Sequence, residues 1–301
     1  MTGQSRAQRV LDHVLLLGLA AIFALPFAWV VQTSLKTDRE IFASLPKLVP
    51  VSLSADEYKQ AREAGELSPF AERYGYGVTF ENYRRAVTEF PFFRYLLNTS
   101  VIVLFSVLGT LLSCALVAHS FACLRWPDRD LLFALVMATM LLPYQVTMIP
   151  VFVLFRNLGW IDTLLPLVVP QFLAPPFFVF LLRQFFLSIP REMLEAGRID
   201  GASEARILAS VVLPLSKPAL LAVAIFAAMF AWNDFLAPLI YLNSDESKTL
   251  AVGLQSMVSQ HGTEWGMLMA AGVMMIVPVL VLFLVAQRHF IEGIALSGTK
   301  G

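Results

Sequence analysis

The sequence predicts an all-α membrane protein, and three observations carry that expectation. Hydrophobic residues make up 57% of the 301-residue chain and charged residues only 15%, against about 45–50% and about 25% in soluble domains. The mean hydropathy is +0.70. The apolar residues also gather into uncharged runs of bilayer length, and a crossing helix needs about 20 of them. A chain so short of charge cannot cover a globular surface in water, which excludes a soluble enzyme or a disordered tail. Lys plus Arg and Asp plus Glu both number 22, so no basic excess is available to hold nucleic acid.

The runs predict about six spans. Val14–Val31 follows Arg6, Arg9 and Asp12 in the manner of a signal peptide. No small-x-small cleavage site precedes Lys36, and Pro26, Phe27 and Trp29 continue the apolar body, so it reads as a retained span. Leu96–Leu124, Leu131–Phe155 and Leu164–Leu182 follow. A fifth runs from after Lys217 to about Leu242, interrupted at Asp234, and Gly266–Gln287 is the sixth.

Orientation follows from the basic residues of the short connections. With alternating spans, Arg6, Arg9, Arg125, Arg129, Arg183, Arg191, Arg198, Arg206, Lys217, Arg288 and Lys300 fall on one side, against Arg156 and Lys248 on the other. Both termini are therefore expected in the cytoplasm, and the loop of residues 34–95 outside. Within that loop, Ala55–Glu66 reads as a polar helix ending near Gly65. Phe80–Phe90 carries Phe80, Tyr83, Val87 and Phe90 at helical spacing, a face for the membrane surface or a partner.

Residues 188–214 differ from the other connections. Pro190 suits the first position of a helix that Ser188 helps to cap. Met193, Leu194, Gly197 and Ile199 form a partial apolar stripe, and Asp200-Gly201 marks a turn. Ser203 caps a second short helix through Ile207, Leu208 and Val211, which Pro214 ends. Small residues at Ala196, Gly197, Gly201 and Ala202 let another backbone approach. No nucleophile–base pair lies here, so the segment reads as a docking knob. Cys114 and Cys123 form no Cys-x-x-Cys pair, and no metal-ligand spacing is present.

Glu195-Ala196-Gly197, then Gly201, then Val211-Val212-Leu213-Pro214 resembles the EAA signature of ABC importer permeases, with Gly197 and Val211 in place of Ala and Ile. Glu81-Asn82-Tyr83, Asn98-Thr99-Ser100, Ile149-Pro150, Leu158-Gly159, Arg198–Ala202 and Trp232–Leu236 widen the resemblance to the carbohydrate-uptake permeases of the MalG type. It covers nearly the whole chain and is weakest around residues 51–76. It implies a type I ABC importer permease fold in the bacterial inner membrane, one transmembrane permease domain over residues 1–301. The implied partners are a second homologous permease, two ATPase subunits and an extracytoplasmic solute-binding protein. ATP and Mg then belong to the ATPase, with no cofactor on this chain. The coupling loop is implied at Glu195, Ala196, Gly197, Asp200, Gly201, Leu213 and Pro214. A C-terminal tail over residues 288–301 is implied to reach the ATPase through Thr299, Lys300 and Gly301.

The chain carries no phosphate-binding Gly-x4-Gly-Lys-Ser/Thr loop, since Lys36-Thr37 and Lys248-Thr249 follow Leu35 and Ser247. Energy must come from a partner or from an ion gradient. Polar residues inside spans are costly and tend to face the bundle interior. Asp234, beside Asn233, can fix helix packing, line a translocation path or relay a proton. Gln145 lies between Pro143 and Pro150, and Gln171 lies near Pro170, Pro175 and Pro176, where loosened backbone suits a lined cavity or a packing kink. An ion-driven carrier or channel using Asp234 is the alternative to an importer permease; it has no need of a paired-helix dock.

Overall fold

The computed structural model describes residues 6–36, 41, 59–60, 62–65, 80–258 and 263–297. Among these, regular structure is helical throughout. Among the described residues, four helices are long and apolar enough to cross a membrane: Val10–Ser34, Phe92–Cys123, Leu165–Phe186 and Trp265–Val285. Two bent pairs bring the number of spans to as many as six. The chain divides into two compact bodies, Met1–Phe92 with Leu254–Pro278, and Phe93–Gly253 with Val279–Gly301.

In the first body, helix α1 (Arg6–Ser34) is exposed from Val10 to Trp29. In lipid, such a surface needs no polar cover, because all its backbone bonds close within the helix. Burial among the described residues of α1 begins at its end, at Gln32, Thr33 and Ser34, and continues to Lys36, whose ammonium lies 5.6 Å from the Trp29 ring centroid. The last carbonyls of a helix have no partner within it. Helix α2 (Glu81–Thr88) supplies one: Asn82 Nδ2 donates to Ser34 O at 2.9 Å and to Lys36 O at 2.8 Å. Tyr83 Oη and Ser34 Oγ pair at 2.7 Å, and Arg85 bridges Glu89 and Glu264.

The buried face of α2 is thus Asn82 and Ala86, continued by Phe90. Of the residues expected to face the membrane surface or a partner, Phe80 is 57% exposed and Tyr83 and Val87 are half-buried, so the inward position on the helix falls to Asn82. The amide wins because two helix-end carbonyls need a donor and an aromatic ring has none to offer. In the outer loop, residues 59–60 and 62–63 are helical and Gly65 takes φ +68°. The rest of Ala55–Glu66 lies outside the described residues.

The second body is organised on α3 (Phe92–Cys123, 32 residues), about 48 Å long at 1.5 Å per residue. The third expected run is two helices, α4 (Arg129–Thr139) and α5 (Tyr144–Asn157), bent by 94° at Pro143. The fourth is broken as its prolines imply: α6 (Leu165–Val168), a 3₁₀ turn over Val169–Leu173, then α7 (Pro176–Phe186). Ala174 bridges them at φ +55°. The backbone groups freed at this break are met by one hydroxyl on α3. Ser113 Oγ accepts from Ala174 N at 3.1 Å, and its single proton is shared between Gly109 O of its own helix at 2.8 Å and Gln171 O at 3.2 Å. One turn earlier, a Cβ on Gly109 would lie 2.5 Å from the Phe172 ring, so only glycine lets the broken segment seat.

After residues 188–214 come α10 (Lys217–Asn233) and α11 (Leu236–Tyr241), parted at Asp234 as the sequence implied. Ala219, Val223 and Ala227 make a buried stripe on α10 in one core with Val179, Leu182 and Phe186 of α7. Lipid is as apolar as leucine, so close packing on small residues, rather than burial, holds such a pair. Helix α12 (Leu250–Ser256) follows. The last helix, α13 (Trp265–Ser297), runs on past Gln287. Most of the expected tail is therefore helix, while Thr299, Lys300 and Gly301 lie outside the described residues.

Candidate functional site

Residues 188–214 fold into two short helices meeting at a tight turn. Helix α8 spans Arg191–Ile199 and α9 spans Glu204–Ile207. The turn is closed by backbone bonds from Gly201 N to Arg198 O and from Ala202 N to Gly197 O, each 3.0 Å. This is the Schellman arrangement, with glycine at the left-handed position; Gly201 has φ +77°. Ser203 then caps α9 by accepting from Arg206 N at 3.3 Å.

Three local expectations need correction. Pro190 is the residue before the first helical position, and Ser188 does not cap α8; its hydroxyl donates back to Phe185 O. The apolar stripe is split, with Leu194 buried and Gly197 facing Ile207, but Met193 43% and Ile199 86% exposed. Pro214 does not end the second helix. A π-turn over Leu208–Val212 and an α-turn over Leu213–Leu215 continue it to a break at Ser216. The wider π-turn accommodates the N–H that proline lacks. Beyond it the chain turns by 83° into α10.

The loop therefore has two faces. Leu194, Ile207, Leu208 and Val212 are buried in the same core as Phe121 and Phe186. The other face presents Glu195, Ala196, Ile199, Asp200 and Gly201 to solvent; Leu213 is half-buried and Pro214 exposed. Gly197 provides the close approach between the arms, since a Cβ there would sit 3.3 Å from Ile207 Cγ1. Arg198 Nε donates to Glu204 Oε1 at 2.7 Å across the turn, which holds the guanidinium pKa above its usual value. A cavity of about 510 Å³ opens beside α8, its lining part apolar and part charged, with Arg125, Arg191, Glu195 and Arg198 among the charged residues and Trp126 and Ile189 among the apolar ones.

The polar residues of the spans do not converge on one point. Asn233 spends its amide on Met229 O at 2.8 Å, and Asp234 Oδ1 accepts from Ala237 N at 3.3 Å, capping α11. Gln145 is exposed at the start of α5. Gln171 is half-buried, held through its carbonyl by Ser113. Two residues missed in the sequence join part of this set: Tyr144, beside Gln145, lies near Tyr241 and within electrostatic reach of Asp234. Neither tyrosine stands out by spacing, because they lie 97 positions apart in the chain.

At the N-terminal end of α3 a second polar knot was also missed. Asp162, at φ +63°, accepts at Oδ1 from Asn243 N and Ser244 N, both at 2.9 Å, and from the hydroxyls of Ser244 and Ser247. These donors, Ser247 first, hold its carboxyl at about 2. Asn98 Nδ2 on α3 binds Glu246 O and Lys248 O of the same loop at 2.8 and 3.0 Å. Among the described residues no cluster of metal-ligating side chains occurs.

Helices of membrane-crossing length with an exposed paired-helix loop between them have the fold of an ABC importer permease. The structure superposes with a TM-score of 0.78 on a chain of a bacterial ABC transporter involved in the import of the acidic polysaccharide alginate. The match covers 96% of this chain and 100% of that one at 24% identity. Residues 116–295 match the family of binding-protein-dependent transport system inner membrane components, and the chain belongs to it. It is 37% identical over 210 residues to the arabinooligosaccharides transport system permease protein AraQ of Bacillus subtilis, covering 70% of this chain and 74% of that relative. It is 35% identical over 206 residues to the sn-glycerol-3-phosphate transport system permease protein UgpE of Escherichia coli O157:H7, covering 68% and 73%. The family is one of transport components rather than enzymes, and its members are multi-pass proteins of the inner membrane.

Proposed function

We propose that this chain is one of two related permeases in an importer driven by ATP, and that it carries a saccharide or a related polyol or phosphorylated solute. A solute-binding protein delivers the cargo outside. Two ATPase subunits, which hold the ATP and Mg, drive alternating access from the cytoplasm, where both termini of this chain lie. The relatives named above for arabino-oligosaccharides and glycerol 3-phosphate support this solute class. The observation that carries the coupling role is the loop of residues 188–214. A buried inner face and a Schellman turn hold a solvent-facing ridge of Glu195, Ala196, Ile199 and Asp200 in fixed shape.

Glu195 is the charged contact for a basic residue of the ATPase. Gly197 and Gly201 keep the ridge narrow enough to enter a cleft, and Leu213 and Pro214 shape the exit toward α10. Thr299, Lys300 and Gly301 are proposed to reach the ATPase from the C-terminal end. Gln145, Gln171, Asn233 and Asp234, joined by Tyr144 and Tyr241, are proposed to border the translocation path.

The test is uptake and ATP hydrolysis by the reconstituted complex. Glu195→Lys should abolish solute uptake while the permease pair still inserts and folds. Unchanged uptake with unchanged ATPase activity in that variant refutes the coupling role. Uptake that collapses with a protonophore but survives ATP depletion would instead favour an ion-driven carrier. Calorimetry of the cognate solute-binding protein against a panel of sugars and polyol phosphates identifies the cargo.

A further inference from the structure

The proposed coupling loop is bolted to a helix that is not its neighbour in sequence. Arg198 Nη2 donates to Cys123 O at 3.2 Å, one of the carbonyls that the end of α3 leaves open. Arg198 also grips Glu204, at 2.7 Å through Nε and 3.4 Å through Nη2. Glu204 Oε2 in turn lies 3.4 Å from Nε2 of His119. That imidazole is only 4% exposed, one turn from the end of α3, and neither ring nitrogen has a well-aligned hydrogen bond among the described residues. A buried ring held near a single carboxylate responds to small shifts of that carboxylate.

The covalent route out of the loop is built differently. It passes through the π-turn Leu208–Val212, then Pro214, then the 83° bend at Ser216. The Ser216 hydroxyl is fully buried with no partner among the described residues. π-turns, prolines and missing backbone bonds are where helices bend under load. A push on the ridge therefore meets a compliant link toward α10 and a charged, hydrogen-bonded link toward α3. The far end of α3 is tied just as firmly, by Asn98 to Glu246 O and Lys248 O and by Thr99 Oγ1 accepting from Leu250 N at 2.9 Å.

We infer that Arg198, Glu204 and His119 form a strut that carries movement of the 188–214 loop into α3, which then acts as a rod moving the 243–250 loop at its other end. The inference rests on the coupling role proposed above. Arg198 and Glu204 are positioning residues in it, and His119 is the point where the stroke enters the rod.

The experiment uses the complete importer in liposomes and reads solute imported per ATP hydrolysed, together with retention of the ATPase subunits on purification. His119→Leu removes the imidazole–Glu204 contact and leaves the Arg198–Glu204 pair and the Arg198 bond to Cys123 O intact. It should lower the coupling ratio about fivefold or more with the ATPase subunits still bound. His119→Gln, which restores a side-chain donor, should recover most of the ratio. Arg198→Ala should match His119→Leu. A wild-type ratio in both His119→Leu and Arg198→Ala overturns the strut. Loss of the ATPase subunits from the His119→Leu complex also overturns it, because the cluster would then serve docking. Glu195→Lys is the control for the underlying reading. If it uncouples and the strut variants do not, the strut alone falls; if it has no effect, the coupling role falls first.

Discussion

Gly201 shows how one residue sets the shape of the proposed docking ridge. Its φ of +77° lies in the left-handed region, and a Cβ there would meet nothing within 4 Å. The requirement is conformational, with no clash behind it. Gly201→Val should cost about 1–2 kcal/mol locally and distort the turn, lowering solute uptake more than it lowers the melting temperature of the detergent-solubilised protein. Gly197 is the converse case: its φ is ordinary, but Ile207 lies close. Ala should be accepted there with little loss and Leu should not.

Asp162 gives a pH prediction at the same scale. Its folded-state carboxyl sits at about 2, below the unfolded value of about 3.9. The folded state thus binds the proton less readily than the unfolded one. The stabilisation is fully present above about pH 4 and fades as pH falls toward about 2. Asp162→Asn should lower the melting temperature at pH 7, and the acid-induced decline between those limits should flatten. An unchanged pH profile in differential scanning fluorimetry would show that the hydrogen bonds to Oδ1 contribute no net stability.

Several elements in this molecule are held by the repair of broken backbone as well as by packing. The segment from α6 to α7 is interrupted at Pro170, Pro175 and Pro176, and Ser113 of α3 answers both freed groups. Ser113→Ala leaves Ala174 N and Gln171 O without that partner, at about 1–3 kcal/mol for a buried unmet group. Gly109→Leu forces the Phe172 ring from its seat, with a comparable overpacking cost. Both variants should unfold at lower temperature, measured by tryptophan fluorescence in detergent, and the two losses should be less than additive because they free the same segment. Helix α2 works in the same way at the end of α1. Asn82→Leu keeps the size and removes the donor, so the carbonyls of Ser34 and Lys36 lose their ligand.

For the whole molecule, sidedness is the testable consequence. The basic connections predict that Gly201 faces the cytoplasm and α2 faces outside. Single cysteines at Thr88 and Asp200, in a background with Cys114 and Cys123 replaced, should react with a membrane-impermeant maleimide in opposite patterns: Thr88→Cys in intact spheroplasts, Asp200→Cys only after lysis. Reaction at both positions from outside would reverse the topology.

The sequence by itself determined the class of the molecule, its runs of membrane-crossing length, the breaks at proline and Asp234, and the position of the 188–214 turn. All of these depend on residues within a few turns of one another: hydropathy over about 20 positions, proline's missing donor, glycine at a left-handed turn. It also placed Ser203 as a cap, for the same short-range reason. It did not show which residue of α2 turns inward, because apolar spacing cannot register that two carbonyls near position 35 need the amide at position 82. It did not reveal the knot around Asp162, the Tyr144–Tyr241 pair, or the joining of Arg198 and Glu204 to Cys123 and His119. Each of those brings together residues tens of positions apart, and only the packed chain decides which distant donor meets which acceptor. The proposed dock was legible because its geometry is local. Where its motion goes depends on contacts that exist only once α3 and the loop are packed together.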